Sequence, residues 1–477
     1  MRAVVLVAAA ALAGCALKTP PTHDEVVDQA LPKDTRIPPA WRADPRGGEV
    51  TNDWVKSFDD PVLDAIVAEA MANNLDLRAA ASRVVIAQQA VVVVGSQLLP
   101  QVGAVLGGRT TRDEDHDGNS NAALAYAGVA WELDVWGRLR AQRAAAEARY
   151  EATALDYAYA RQSLAATTAK LWYLAIEARQ LVALSEQAVR IYSELLQLVT
   201  IRRSAGKDSD LDVVDVRAKL ESARSEVERA RETYGEARRA LEVVLGRYPA
   251  AEIEVAATYA LLPAPPAAGV PASLLERRPD IVAAERAVLA AFRGEEAAEL
   301  ALLPDLSISI VGGRLGDQIL SLLRLNPWFA TAAIGVSIPI YEGGALRAQV
   351  EIATAQQAQA VARYGSVVLR AFREAENALA NEQLLLERLP FDQKAFAERT
   401  TAVRIATVQY KAGRRDLLWV SNLQTGQIAT QDALIRLSAT QRVNRIQLYL
   451  ALGGSFDTEP AARVVLPPAQ SPSGSSQ

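Results

Sequence analysis

Three stretches of this chain alternate between apolar and polar positions. From Ala123 to Trp136 one parity reads Ala123, Ala125, Ala127, Val129, Trp131, Leu133 and Val135, while the other carries Tyr126, Gly128, Glu132, Asp134 and Trp136. Leu306, Ile308 and Ile310 alternate in the same way with Asp305, Ser307 and Ser309. So do Ala332, Ile334, Val336, Ile338 and Ile340 with Thr331, Ala333, Gly335, Ser337 and Pro339. A period of two predicts strands with one greasy and one wet face. Very long helices are predicted between them. Arg138 to Ala205 holds 68 residues without Gly or Pro, a helical rod of roughly 100 Å. Ala345 to Ala412 is interrupted only by Gly365 and Pro390. Each run stops at a glycine, Gly206 or Gly413, and returns as a shorter helix, which predicts two helical hairpins with distant turns. A helix precedes each strand pair, at about 61 to 96 and about 273 to 301, the second opened by Arg278-Pro279-Asp280 with proline near its first turn.

The order of elements is written twice. Leu98-Leu99-Pro100 recurs as Leu302-Leu303-Pro304, Gly107-Gly108-Arg109 as Gly312-Gly313-Arg314, and Leu139-Arg140-Ala141-Gln142 as Leu346-Arg347-Ala348-Gln349. Ala205-Gly206 and Leu245-Gly246 return as Ala412-Gly413 and Leu452-Gly453, so the offset climbs from 204 to 207 and never falls. Inserted loop residues produce such a drift; chance matches would scatter. The expected organisation is a leader at 1–14, a Pro-rich extended tether at 15–50, a first copy at 51–260, a second at 261–454 and a disordered tail at 455–477.

Composition narrows the function classes. Half of the residues are hydrophobic, with few Phe, Met or His, which favours close-packed helices. The net charge of -5 is mild, and the absence of a long basic run argues against nucleic acid as a partner. Ala3 to Leu12 is an apolar run behind Arg2, followed by Leu12-Ala13-Gly14-Cys15. That pattern reads as a secretory signal, and its ending resembles a bacterial lipobox, which implies cleavage before Cys15 and acylation of that cysteine, palmitate included. Ala16 follows where aspartate would retain the protein at the inner membrane, so sorting to the outer membrane is implied. No later stretch approaches the roughly 18 apolar residues of a spanning helix. A membrane crossing would therefore use closed strands, because only helices and closed barrels satisfy every backbone group in lipid. Four strands cannot close a barrel, so the chain is expected to oligomerise; two copies would supply eight strands and three would supply twelve.

Several motifs then point to one family. Trp54-Val55-Lys56-Ser57-Phe58-Asp59-Asp60-Pro61 leads into Asn74-Leu75-Asp76-Leu77; Trp131 to Arg138 reads WELDVWGR; Leu274 to Asp280 reads LLERRPD; Pro339 to Gly344 reads PIYEGG. From the lipobox to Gly453 the chain resembles the TolC-like outer-membrane factors, within them the lipoprotein branch of resistance-nodulation-division (RND) efflux systems. The resemblance implies a homotrimer with a twelve-stranded transmembrane β-barrel continued by a periplasmic α-helical barrel. Its implied partners are a periplasmic adaptor (membrane fusion protein) and an inner-membrane RND-type transporter. It also implies a gate at the hairpin tips, with Asp212 and Tyr410 as linking acid and tyrosine, Arg415 as linking arginine and Leu418 as a bulky constriction. Trp419 and Asn422 stand where other members carry aspartates, which implies a steric gate in place of an acid ring.

Other classes find little support. His23 and His116 are the only histidines and have no evident base or nucleophile beside them, so no catalytic residue, cofactor or metal is expected. Asp113 to Gly118 opens with calcium-loop spacing, but Leu124 occupies the twelfth position that a bidentate glutamate must fill. The alternative with most in common is a periplasmic adaptor lipoprotein, which has a helical hairpin but would lack the duplication and the barrel strands.

Overall fold

The computed structural model describes residues 17–44, 47–113, 118–316 and 328–457. Cys15, the middle of the calcium-like loop (114–117) and the tail from 458 onward lie outside them. In chain order the described elements are α1 (His23–Ala30), α2 (Pro61–Asn73), α3 (Leu75–Ser96), β1 (Gln101–Asp113), β2 (Gly118–Leu133), α4 (Arg138–Ser204), α5 (Asp210–Val244), α6 (Leu274–Arg277), α7 (Pro279–Leu300), β3 (Asp305–Gly316), β4 (Phe329–Ser337), α8 (Ala345–Lys411) and α9 (Leu417–Ala451). Short 3-10 turns at Lys56–Phe58 and Pro271–Ser273 lead into the two halves.

Helix length dominates the shape. α4 and α8 each contain 67 residues and α5 and α9 each 35, so the long members run about 100 Å and the returning ones about half that. Gly206 and Gly413 end the long helices at φ 68° and 72°. Left-handed backbone there lets Lys207 N donate to Arg202 O and Arg414 N to Gln409 O, both at 2.9 Å, closing each helix with its last carbonyls satisfied. Pro390 does not break α8. The carbonyl it deprives of a donor, four residues back, belongs to the exposed Leu386, where it is open to solvent.

The helix expected at 61–96 is two. Asn74 ends α2, caps α3 by accepting from Leu77 N at 2.9 Å, and donates to Val244 O at 3.0 Å, tying the break to the end of α5. α3 also corrects the reading that no later segment is apolar enough to span a membrane. Averaged over a window it passes that test, because its scattered polar residues interrupt a run without lowering the mean much. It packs along α4.

The core lies midway along the long helices, in two related clusters. One gathers Trp54, Phe58 and α2 around Trp172, Tyr173 and Ile176 of α4, with Tyr449 of α9 stacked on Trp54 at 5.7 Å. Asp60 organises it: one carboxylate oxygen caps α2 through Val62 N and Leu63 N, and the other accepts from Trp172 Nε1 at 3.0 Å. The second cluster packs Tyr364, Val368 and Ala375 of α8 against Ile281 and Val288 of α7. Arg278 opens α7 from a buried position, bidentate to Asp280 (3.0 and 2.8 Å) and bonded to Glu374 of α8 at 2.9 Å. A buried guanidinium is tolerable only with such matched acceptors.

The Pro-rich N-terminal segment is not the extended tether that its composition suggested. A capping box at Thr22 and Glu25 starts α1. Trp41 is buried and donates to Ala268 O at 2.8 Å. Gly365 of α8 receives the end of α1 so closely that a Cβ there would lie 2.3 Å from Ala30 O. The glycine that interrupts the α8 sequence is thus the seat of α1.

Two glycine substitutions should move stability in opposite directions. Gly235→Ala in α5, where a Cβ meets only the flexible end of Arg239, should gain about 0.5–1 kcal/mol of helix propensity. Gly365→Ala makes the same gain but forces two backbones apart, and overpacking of about 1–3 kcal/mol prevails. Thermal melting in detergent, followed by helical circular dichroism, checks both signs.

Candidate functional site

At one end of the molecule the four strands form a single antiparallel sheet in the order β1-β2-β3-β4. Residues paired across strands share a face, so the register shows where the greasy parity goes. Val102, Val129, Ile310 and Ala332 form one row; Trp131, Ile308 and Ile334 another; Leu133, Leu306 and Val336 a third. All three rows lie on the same face. The opposite face carries Gly103, Gly128 and Thr331 around Val311, then Glu132, Ser307 and Gly335, then Asp305 and Ser337. Val102, Ile334 and Val336 stand exposed on the apolar side, up to 78% for Val102. One face of the sheet thus carries apolar rows that reach Arg314 beside Ala125, and the face behind them is smaller and more polar around Glu132 and Asp305. Among the described residues both outer edges, on β1 and β4, are unpaired, and because the strands alternate in direction, β4 of one copy can extend the antiparallel ladder onto β1 of another.

The WELDVWGR segment is the joint between sheet and rod. Trp131 Nε1 donates to Leu98 O at 3.0 Å and Trp136 Nε1 to Pro304 O at 2.7 Å, so these two indoles clasp the turns that enter β1 and β3. Asp134 accepts from Leu139 N and Arg140 N at 3.0 Å each, supplying the first turn of α4 with an anion at its positive end. Arg138 bonds Glu132 of β2 at 2.5 Å and lies 3.7 Å from Asp305 of β3, which fixes the helix start against both strands.

At the other end the two hairpin tips pack together. Leu195, Val199, Val213 and Val216 of the first meet Ala406, Tyr410, Leu417 and Val420 of the second. Tyr410 is fully buried and donates its hydroxyl to Asp208. Arg202 grips the same carboxylate (Nε to Oδ2 3.0 Å) and lies 4.4 Å above the Tyr410 ring. Burial, and then the Asp208 carboxylate beside it, push the Tyr410 phenol above its ordinary value, so it remains a proton donor at any physiological pH. The carboxylate in turn raises the Arg202 pKa, chiefly through its hydrogen bond.

The expected gate residues divide between contact and exposure. Asp212 does not meet Tyr410 within the protomer; it closes a capping box with Ser209, accepting from Ser209 N at 2.8 Å. Asp208, four residues nearer the turn, takes that place. Arg415 lies 4.9 Å over the Trp419 ring, and Asp416 caps α9 by accepting from Trp419 N at 3.2 Å. Leu418, Trp419 and Asn422 are exposed. Sequence reasoning missed Arg202 and Asp208. They straddle Gly206 six residues apart, and a closed helical turn brings such flanks together.

The Outer membrane efflux protein family matches residues 66–247 and 270–454, one segment for each copy. Among curated proteins the chain is 29% identical over 465 residues to the pyoverdine export outer membrane protein OpmQ of Pseudomonas putida, covering 95% of this chain and 97% of that one. It is 27% identical over 407 residues to the cation efflux system protein CusC of Escherichia coli, covering 84% and 88% respectively. Among solved structures, that of the outer-membrane channel OprN superposes with a TM-score of 0.79 at 26% identity, covering 90% of this chain and 99% of that chain.

The tip geometry predicts its own weak point. Asp208→Ala leaves a buried phenol and a guanidinium without their shared acceptor, a loss of about 1–3 kcal/mol. Hydrogen exchange should accelerate across both turns, around 199–216 and 406–420, and leave the core around Trp172 unchanged.

Proposed function

The chain belongs to the outer membrane efflux protein family, and on that premise we propose that it is the exit duct of a tripartite pump, a passive channel through which an inner-membrane transporter of the RND type drives drugs or other small molecules, reached through a periplasmic adaptor. The observation that carries this reading is a single one. An apolar-faced sheet with two free edges is joined without a break to hairpins of about 100 Å. A periplasmic adaptor lipoprotein would have neither the sheet nor the second hairpin.

Ring closure follows from the edges. Unpaired backbone groups in lipid cost several kcal/mol each, so copies must meet β4 to β1 until the barrel shuts. Eight strands give an interior that side chains just fill; twelve leave a bore, and the small residues of the inner face (Gly103, Gly128, Gly335) keep it clear. Three copies therefore suit a duct. The exposed apolar side of α3, with Val85, Ile86, Val92 and Val93, becomes a flank that the neighbouring copy covers. Cys15, acylated after cleavage of the leader, adds a lipid anchor at the outer membrane. Relatives named for pyoverdine and for cations share this frame, which supports leaving the choice of cargo largely to the pump.

The gate reading makes Tyr410 and Asp208 the tie between hairpins, with Arg415, Leu418, Trp419 and Asn422 at the aperture and Asp212 holding the first turn of α5. Purified protein should run as a heat-modifiable trimer from the outer membrane and form channels in planar bilayers. Tyr410→Phe combined with Asp208→Ala should raise opening frequency on the order of tenfold, the factor that a coupling of 1–3 kcal/mol spans; an unchanged frequency rejects the tie. For the anchor, mass spectrometry of the mature N-terminal peptide should show diacylglyceryl and acyl additions on Cys15, absent in Cys15→Ala.

A further inference from the structure

The two hairpin tips, alike in backbone, differ in charge. Between Ser193 and Arg224 the first carries six cations and six anions and is neutral. Most of its ions are also paired: Arg202 with Asp208, Arg203 with Asp210, Lys219 with Asp215 and Arg224 with Glu221. Over the equivalent stretch, Thr400 to Gln431, the second carries Arg404, Lys411, Arg414 and Arg415 against Asp416 alone, a net of +3. From Leu417 to Gln431, the start of α9 holds no charge at all. Lys411, Arg414 and Arg415 are exposed and, among the described residues, form no ion pair. The Arg415 guanidinium lies on the Trp419 ring, which orders it without neutralising it. Asp208, the acid at the corresponding turn of the first hairpin, is already neutralised by Arg202.

We propose that the second hairpin tips form a cationic collar at the periplasmic mouth, built by Lys411, Arg414 and Arg415, and that the duct favours anionic solutes. This rests on the duct reading above. In a closed ring of copies these charges recur around one mouth, and wherever they come within a Debye length of about 8–10 Å they reinforce each other. Clefts lined by one sign concentrate the opposite ion. Trp419 and Arg415 together present a flat cationic and aromatic surface, suited to carboxylates attached to planar rings.

The test is the reversal potential of single channels under a tenfold KCl gradient. Half a kT of potential at the mouth already gives a chloride-to-potassium permeability ratio of about 3, and the native channel should reach it. Arg414→Gln with Arg415→Gln should bring the ratio toward about 1, Arg414→Glu with Arg415→Glu should invert it, and Arg414→Lys with Arg415→Lys should preserve it. Each variant is first shown to be a heat-modifiable trimer. A native ratio at or below about 1, or a ratio unmoved by charge reversal, overturns the collar while leaving the duct intact. Trimers that conduct nothing overturn the duct itself.

Discussion

A strand edge cannot end in hydrocarbon. Every peptide group of β1 and β4 that faces outward along the sheet must find a partner, and among the described residues no strand pairs with either edge. That requirement dictates a closed ring, the ring sets how many hairpins stand around one axis, and the axis makes a bore out of what would otherwise be four amphipathic strands. The helices inherit their arrangement. Trp131, Trp136 and Arg138 bind the starts of the rods to the strands, so the sheet's closure is passed down the rods to tips about 100 Å away.

Duplication supplies the parts, and divergence at the tips supplies the function. Asp60 with Trp172 in one half and Arg278 with Glu374 in the other perform related tasks, each opening a helix and locking it onto a rod, with opposite charges. Close to the core the copies could differ in this way because each buried ion brought its own acceptors or donors. At the tips the difference is of another kind. The first hairpin spends its ions on itself and on Tyr410, whereas the second leaves its cations to the solvent.

Much of this was legible from punctuation. Absence of Gly and Pro over Arg138 to Ala205 marks α4 to within one residue, since nothing but a capping glycine interrupts that run. Alternation identified the faces of β2, β3 and β4 because the sheet is amphipathic throughout. What stayed hidden depends on contacts between distant segments. Asn74 splits α2 from α3 because Val244 offers it a carbonyl. The N-terminal segment looked like a linker by composition, yet Trp41 and α1 find a seat on α8 that Gly365 alone makes possible. Asp208 was passed over for Asp212 because distance along the chain does not show that Asp212 is already engaged by Ser209.

The helix boundaries hold one more consequence. Arg138 and Ala345, Ser204 and Lys411, Asp210 and Leu417, Val244 and Ala451 are each 207 residues apart, while the earlier landmarks differ by 204 and 205. Length therefore changed freely in the strand region and its turns but not once the rods begin. A single residue gained in one rod would turn everything beyond it by about 100° and lower one tip by about 1.5 Å relative to its twin. The paired hairpins behave as a matched gauge: evolution can alter their surfaces residue by residue, but it can lengthen the duct only by editing both copies together.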